Sequence, residues 1–194
     1  LSKISILSEF LVHGSNGNLG AEEKDSLLSI ADTSRSVVGS MSDMVWSINP
    51  NRDNLRDTVQ RMRRFAIELL TARDIHFTFD APEDEHEVKL DVDMRRQLYL
   101  VFKEGLNNAV KHSGCTSIAI KLKQEKNEIV LTIRDNGRGF DPEEMHHGNG
   151  LVNMRARCAE IGGSLEIKSE KGKGTTLNLR VPRRHHGFSI VKST

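Results

Sequence analysis

Cysteine is scarce: only Cys115 and Cys158 occur in 194 residues, far apart and without a CxxC pair. That excludes a disulfide framework or a zinc ribbon and leaves two free thiols, the default of a reducing compartment. No apolar run approaches the ~20 residues that a membrane-spanning helix requires. Residues 1–10 also lack the charged start and long apolar stretch of a secretory signal. An excess of one charge is missing too. The 28 basic and 27 acidic side chains nearly cancel, to +1, and no run of Lys or Arg interrupts the balance. Nothing therefore points to a nucleic-acid partner. What is present is a globular composition, 37% hydrophobic and 28% charged. At this length it accommodates one substantial domain and a smaller element.

The chain opens at Leu1 in mid-pattern, as expected of a segment cut from something longer. Ile4, Leu7 and Leu11 keep the three-and-four spacing of a helix, and the Gly/Asn-rich residues 14–20 then predict a loop. A second helix carries Leu27, Ile30, Val37, Met41, Met44 and Ile48, a spacing near 3.5 that suits a bundle seam, weakened by Ser34 and Gly39. Asn49-Pro50 ends it, because proline disfavours helical geometry in the residue before it. Two antiparallel helices on a short loop cannot bury both faces alone, so residues 1–50 are expected to dimerise.

From Asn51 the pattern changes. A helical stripe of Leu55, Val59, Met62, Ala66 and Leu69, capped by Asn51 or Asp53, precedes an alternating strand over 75–79 and a polar turn over 81–85. Asp91 or Asp93 caps a helix reaching about Ser113, with Met94, Leu98, Val101, Gly105 and Ala109 inward. Two strands follow, one with Ile118, Ile120 and Leu122, the other with Ile129, Leu131 and Ile133. A helix bearing Leu151, Met154, Cys158 and Ile161 stops at Gly162-Gly163. A hairpin then sets Leu165 and Ile167 against Leu177, Leu179 and Val181. Strands and helices mix without regular alternation, which predicts an α+β fold and excludes a Rossmann sheet.

Four short patterns carry chemistry. Glu104, Asn108 and Lys111 share one helix face at the rim of the core. They suit a hydrated Mg²⁺ with a polyphosphate, since Mg²⁺ takes only one or two protein ligands; the same spacing also serves a solvated face with an ion pair. Asp135 continues the phase of Ile129, Leu131 and Ile133, so its carboxylate turns inward, where it requires a donor such as an adenine amino group. Asp135-Asn136-Gly137 is equally a plain turn. Gly148-Asn149-Gly150 precedes a helix start, where backbone amides approach phosphates. Gly172-Lys173-Gly174-Thr175-Thr176 is a hairpin turn whose hydroxyls can reach the same pocket.

Their order decides between these readings. The run from Glu104 to His112 (EGLNNAVKH) resembles the N-box of the GHKL ATPases, residues 135–140 (DNGRGF) the G1 box, residues 148–154 (GNGLVNM) the G2 box, and residues 172–176 the closing Gly-Thr motif. All four stand in family order. The chain is most similar to sensor histidine kinases with a short ATP lid, here over 141–147. Their dimerisation hairpin is resembled by residues 1–10 and 41–50. The resemblance implies a GHKL α/β sandwich over 51–182 that binds ATP and Mg²⁺, a homodimer through the N-terminal helices, and a response-regulator receiver domain as partner. It further implies a cytoplasmic domain of a membrane-anchored sensor. Asn108 would chelate Mg²⁺, Glu104 would orient a metal-bound water or assist proton removal, and Lys111 would hold phosphate. Asp135 would accept from the adenine amino group, with Gly139 and Thr175 shaping the base pocket. Asn107, His112, Gly137, Gly148, Gly150, Leu151 and Thr176 complete the expected nucleotide site.

Some residues fall outside the pattern. Family members carry a phosphoacceptor His followed by Asp or Glu on the first hairpin helix, and that residue is expected upstream of Leu1. His13 is followed by Gly14, and His86-Glu87 falls in an acidic turn. The chain is therefore expected to bind nucleotide without phosphorylating itself in cis. The pairs His146-His147 and His185-His186 lack ligand geometry. Residues 183–194 form a tail beyond the family pattern. Two rivals remain: an anti-sigma-factor-type serine kinase, disfavoured by the hairpin, and a non-catalytic docking module, disfavoured by Glu104, Asn108 and Asp135.

Overall fold

The computed structural model describes residues 4, 6–8, 11–12, 20–47, 53–82, 88–125, 127–141 and 149–183. The chain divides into two units, Leu1–Asn51 and Arg52–Thr194. In the first, Ile4, Leu7 and Leu11 are helical and exposed, and helix α1 spans Ala21–Ser47. The Glu23 carboxylate accepts the Gly20 N–H at 3.0 Å and closes its first turn. On the predicted seam Ile30, Val37, Met41 and Met44 are 40–56% exposed, whereas Ala31 and Ser34 are buried. Ile48, Asn49 and Pro50 lie outside the described residues, as do His13 and most of the expected 14–20 loop.

Helix α2 (Leu55–Thr71) is capped by Asn54, whose side chain accepts the Asp57 N–H at 2.8 Å, and not by Asn51 or Asp53. Asp53 and Asn54 are held extended by an antiparallel bridge to 88–90, through Leu55 N to Val88 O and Leu90 N to Asp53 O. The buried stripe runs Leu55, Val59, Met62, Ala66 and Leu70, so Leu70 and not Leu69 closes it, one four-residue step after Ala66.

Strand β1 (His76–Asp80) leads through helix α3 (Val92–Asn108) to β2 (Ser117–Glu125), which pairs with β1 in parallel. A helical crossover is what parallel neighbours require. Of the two expected caps Asp91 serves α3, accepting the Met94 N–H at 2.7 Å. Strand β3 (Glu128–Asp135), helix α4 (Asn149–Glu160) and the hairpin β4 (Ser164–Glu170) and β5 (Gly174–Pro182) complete the fold. The sheet order is β1-β2-β3-β5-β4, antiparallel after the first pair. The fold is thus α+β as expected.

One sheet face buries Ile118, Ile120, Leu122, Ile129, Leu131, Ile133, Leu177, Leu179 and Val181, together with Leu98, Phe102 and Leu106 of α3 and Met154 and Cys158 of α4. The other face carries Lys121, Lys123, Arg134 and Arg180. This is the period-two alternation of a sheet covered on one side. Phe65, Tyr99, Phe79 and Phe102 add edge-to-face ring contacts at 6.2–6.3 Å. Burial pushes the Cys158 thiol up to about 11. Among the described residues no helix is long and apolar enough to cross a membrane.

Candidate functional site

Where α3 meets the sheet it changes pitch. Residues Ala109–Ser113 form a π-helical turn, closed by Gly114 in the left-handed region. Such turns recur at functional sites because the extra residue re-aims the side chains around it. Here Asn107, Asn108, Lys111 and His112 all reach one cavity of about 520 Å³, bounded by α3, β3, α4 and the hairpin. Its floor is apolar, made by Ile133, Met154, Ile167 and Leu177.

Asp135 ends β3 on that floor, only 5% exposed. Its Oδ1 accepts the Gly137 N–H at 2.8 Å and the Thr175 N–H at 3.3 Å. Both of these protein donors go to Oδ1, and Asp135 lines the cavity. Burial holds the carboxyl pKa above its ordinary value, and the backbone N–H groups of Gly137, Thr175 and Asp135 itself oppose that shift. The neighbours of Asp135 hold the frame. Asn136 Oδ1 accepts from Thr116 N and Ser117 N, both at 2.9 Å, and its Nδ2 donates to Thr116 Oγ1. Arg138 N donates to Ser113 O at 2.8 Å, stitching this loop to the π turn. Ser113 Oγ in turn donates to Ala109 O and accepts from Cys115 N.

The hairpin folds onto the same loop. Gly139 and Gly174 adopt φ of 59° and 80°, and a Cβ on either would collide with a carbonyl, that of Glu170 or Asp135 respectively. At the mouth, Glu104 and Asn108 converge on Gly150. A Cβ there would stand 2.7 Å from Glu104 Oε1 and 3.6 Å from Asn108 Nδ2. Among the described residues, Glu104, Asn108 and Lys111 have no side-chain hydrogen bond or ion pair.

Of the residues singled out in the sequence, Glu104, Asn107, Asn108, Lys111, His112, Asp135, Gly139, Gly150, Leu151 and Thr175 line the cavity. Gly137 and Thr176 lie off it. Gly137 is pressed against Ser113, and Thr176 alternates to the other sheet face beside Arg134 and Lys168. Gly148, the 141–147 lid beyond Asp141, and the pairs His86-Glu87, His146-His147 and His185-His186 lie outside the described residues. Sequence reasoning missed Ser113, Ser169, Phe140 and the tie made by Asn136. Ser169 had a signal: counting the hairpin register back from its turn sets it opposite Thr175, two residues beyond inward-facing Ile167.

Residues 93–185 match the family model described as Histidine kinase-, DNA gyrase B-, and HSP90-like ATPase. The signal transduction histidine-protein kinase/phosphatase UhpB of Salmonella typhimurium is 34% identical over 99 residues, which are 51% of this chain and 19% of that protein. The sensor protein VraS of Staphylococcus haemolyticus is 31% identical over 100 residues, 51% of this chain and 29% of that protein. The chain thus spans under a third of the length of these curated relatives. The same fold is seen in the histidine kinase domain of an Erythrobacter litoralis blue-light activated histidine kinase, with TM-score 0.60, 16% identity and 93% of each chain covered. It is seen again in the Acinetobacter baumannii histidine kinase AdeS, with TM-score 0.62, 16% identity, and 94% and 95% covered. Fold, cavity and relatives agree: residues 93–185 match the histidine kinase-, DNA gyrase B- and HSP90-like ATPase family model and are similar to the corresponding part of sensor histidine kinases.

Proposed function

We propose that the cavity binds Mg-ATP and that the domain transfers the γ-phosphoryl group to a histidine on a dimerisation helix, for onward transfer to an aspartate of a response-regulator receiver domain. The observation that carries this reading is the polarity of the cavity. Among the described residues it has one inward carboxylate on an apolar floor, and a carboxylate, an amide and an ammonium at the mouth. Asp135 Oδ2 accepts from the exocyclic amino group of adenine, whose ring lies among Ile133, Met154, Ile167 and Leu177 and is shielded there from water. Lys111 offsets phosphate charge.

The residues at the mouth fit a magnesium ion, because Glu104 and Asn108 bring two oxygen-bearing head groups together beside Gly150. When bound, that ion neutralises charge on the phosphate oxygens. Glu104 accepts a proton from the attacking group, a neutral imidazole nitrogen being the nucleophile. Positioning and charge, with no covalent step on the domain itself, account for the transfer. The exposed Ile30, Val37 and Met41 on α1 support a homodimer through the N-terminal helices. Similarity to sensor proteins supports a cytoplasmic part of a membrane-anchored sensor.

Calorimetric titration of ATP, with and without Mg²⁺, tests the reading; saturable binding strengthened by Mg²⁺ is expected. Supplying γ-labelled ATP and a separate His-bearing hairpin helix should then yield acid-labile phosphate. No binding by a folded sample would remove the proposal, and acid-stable label would turn it toward a serine kinase.

A further inference from the structure

The core-facing column of the β4–β5 hairpin changes character at its end. Leu165 pairs with Leu179 and Ile167 with Leu177, both apolar, but the last pair is Ser169 with Thr175, two hydroxyls. Thr175 lines the cavity beside Asp135. Ser169 Oγ has three neighbours: the Phe140 N–H at 2.9 Å, the Gly174 carbonyl at 3.2 Å, and Thr175 Oγ1 at 2.9 Å. A serine hydroxyl carries one proton and two lone pairs. The Phe140 N–H takes one lone pair, and the Gly174 carbonyl, which can only accept, takes the proton. Only a lone pair is then left for Thr175, whose hydroxyl must donate.

From this count we infer that Ser169 is a positioning residue for base recognition, turning the Thr175 proton away from the cavity so that Thr175 offers the ligand only an acceptor. The inference rests on the nucleotide reading above and deepens it. Asp135 Oδ2 and Thr175 Oγ1 together present acceptors, which suits a base edge bearing an exocyclic amino group, directly or through a water that donates. A 6-oxo purine places a carbonyl before them and is left without a donor. Buried polar groups facing the wrong edge discriminate strongly between such ligands. Removing the Ser169 hydroxyl frees the Thr175 proton to rotate toward the ligand, so that Thr175 can then serve either edge.

The test is titration of Mg-ADP and Mg-GDP into the full chain and its Ser169→Ala, Ser169→Thr, Thr175→Val and Ser169→Ala/Thr175→Val variants, with melting checked for each. Ser169→Ala should weaken ADP about three- to tenfold, the range of one neutral hydrogen bond, and narrow the ADP-to-GDP preference. Ser169→Thr, which keeps the hydroxyl, should restore both. In the Thr175→Val background Ser169→Ala should add nothing. An unchanged ADP-to-GDP ratio in Ser169→Ala, or a loss as large without the Thr175 hydroxyl as with it, would overturn the inference while leaving nucleotide binding intact. A wild-type chain that binds neither nucleotide would instead remove the reading beneath it.

Discussion

The two ends of the cavity are built by opposite means. At the base end almost every polar group is already engaged: Asp135 by two backbone N–H groups, Ser169 by three neighbours, Asn136 by three bonds to Thr116 and Ser117. At the mouth, Glu104, Asn108 and Lys111 stand without such partners among the described residues. The first end is preorganised by strands and reads the shape and hydrogen-bonding edge of a ligand. The second is two charges and an amide that acquire their geometry only with phosphate and metal. Specificity should therefore reside with the strands, and ionic dependence with the helix.

The largest effect should come from the base end. Asp135→Asn keeps the Oδ1 that receives Gly137 and Thr175 but replaces the outward acceptor with a donor. ATP affinity should fall about a hundredfold, on the order of a charged hydrogen bond lost with its partner left unpaired. The melting temperature at neutral pH should hold or rise, since a buried charge is removed. A variant that binds ATP normally by calorimetry would break the comparison at once. Next is Gly174→Ala. A side chain at φ 80° that also meets the Asp135 carbonyl should destabilise the domain by about 2 kcal/mol or more, read from urea midpoints.

The mouth should respond differently. Asn108→Ala should weaken ATP about tenfold in Mg²⁺ and hardly at all in a chelator. Its stability should stay within about 0.5 kcal/mol of wild type. A drop in stability matching that of Gly174→Ala would show that the two ends are not built differently after all. The smallest effect is on pH dependence. Because the Asp135 pKa is raised by burial, the native state holds that proton more tightly than the unfolded chain does. The disadvantage of wild type relative to Asp135→Asn is therefore absent below the ordinary carboxylate value of about 4. It should develop as pH rises through the raised value and stay level above it. ATP affinity runs the other way, falling as pH drops through the raised value and the acceptor is protonated. Denaturation and binding series across that window check both signs.

The same contrast explains what was legible in the sequence. Elements whose apolar spacing matches their own period were read correctly, such as β3 and the inward turn of Asp135, because burial and periodicity are local. The α2 cap was not, because the bridge to 88–90 comes from residues more than thirty positions away, and no local pattern announces it. At the mouth, Glu104, Asn108 and Lys111 were visible as one helix face. At the base end only Asp135, Gly139 and Thr175 stood out, while Ser113, Ser169 and Asn136 act through bonds to other segments. Gly137 and Thr176 were drawn in by neighbouring motif residues; strand alternation and the close approach to Ser113 place them elsewhere. The π turn has no sequence signature at all.

The pairing of β5 with β3 also governs how the cavity comes into being. Asp135 and Thr175 meet across a sequence separation of 40 that includes α4. Closing a loop of that length is an entropic barrier that must be crossed before any contact rewards it. A partly folded chain with β2 and β3 paired but β5 still loose would own every residue of the nucleotide-binding motifs and yet have no base pocket. Ligand should then bind only the fully zipped sheet, slow its opening, and protect β5 amides from hydrogen exchange well beyond the residues it touches.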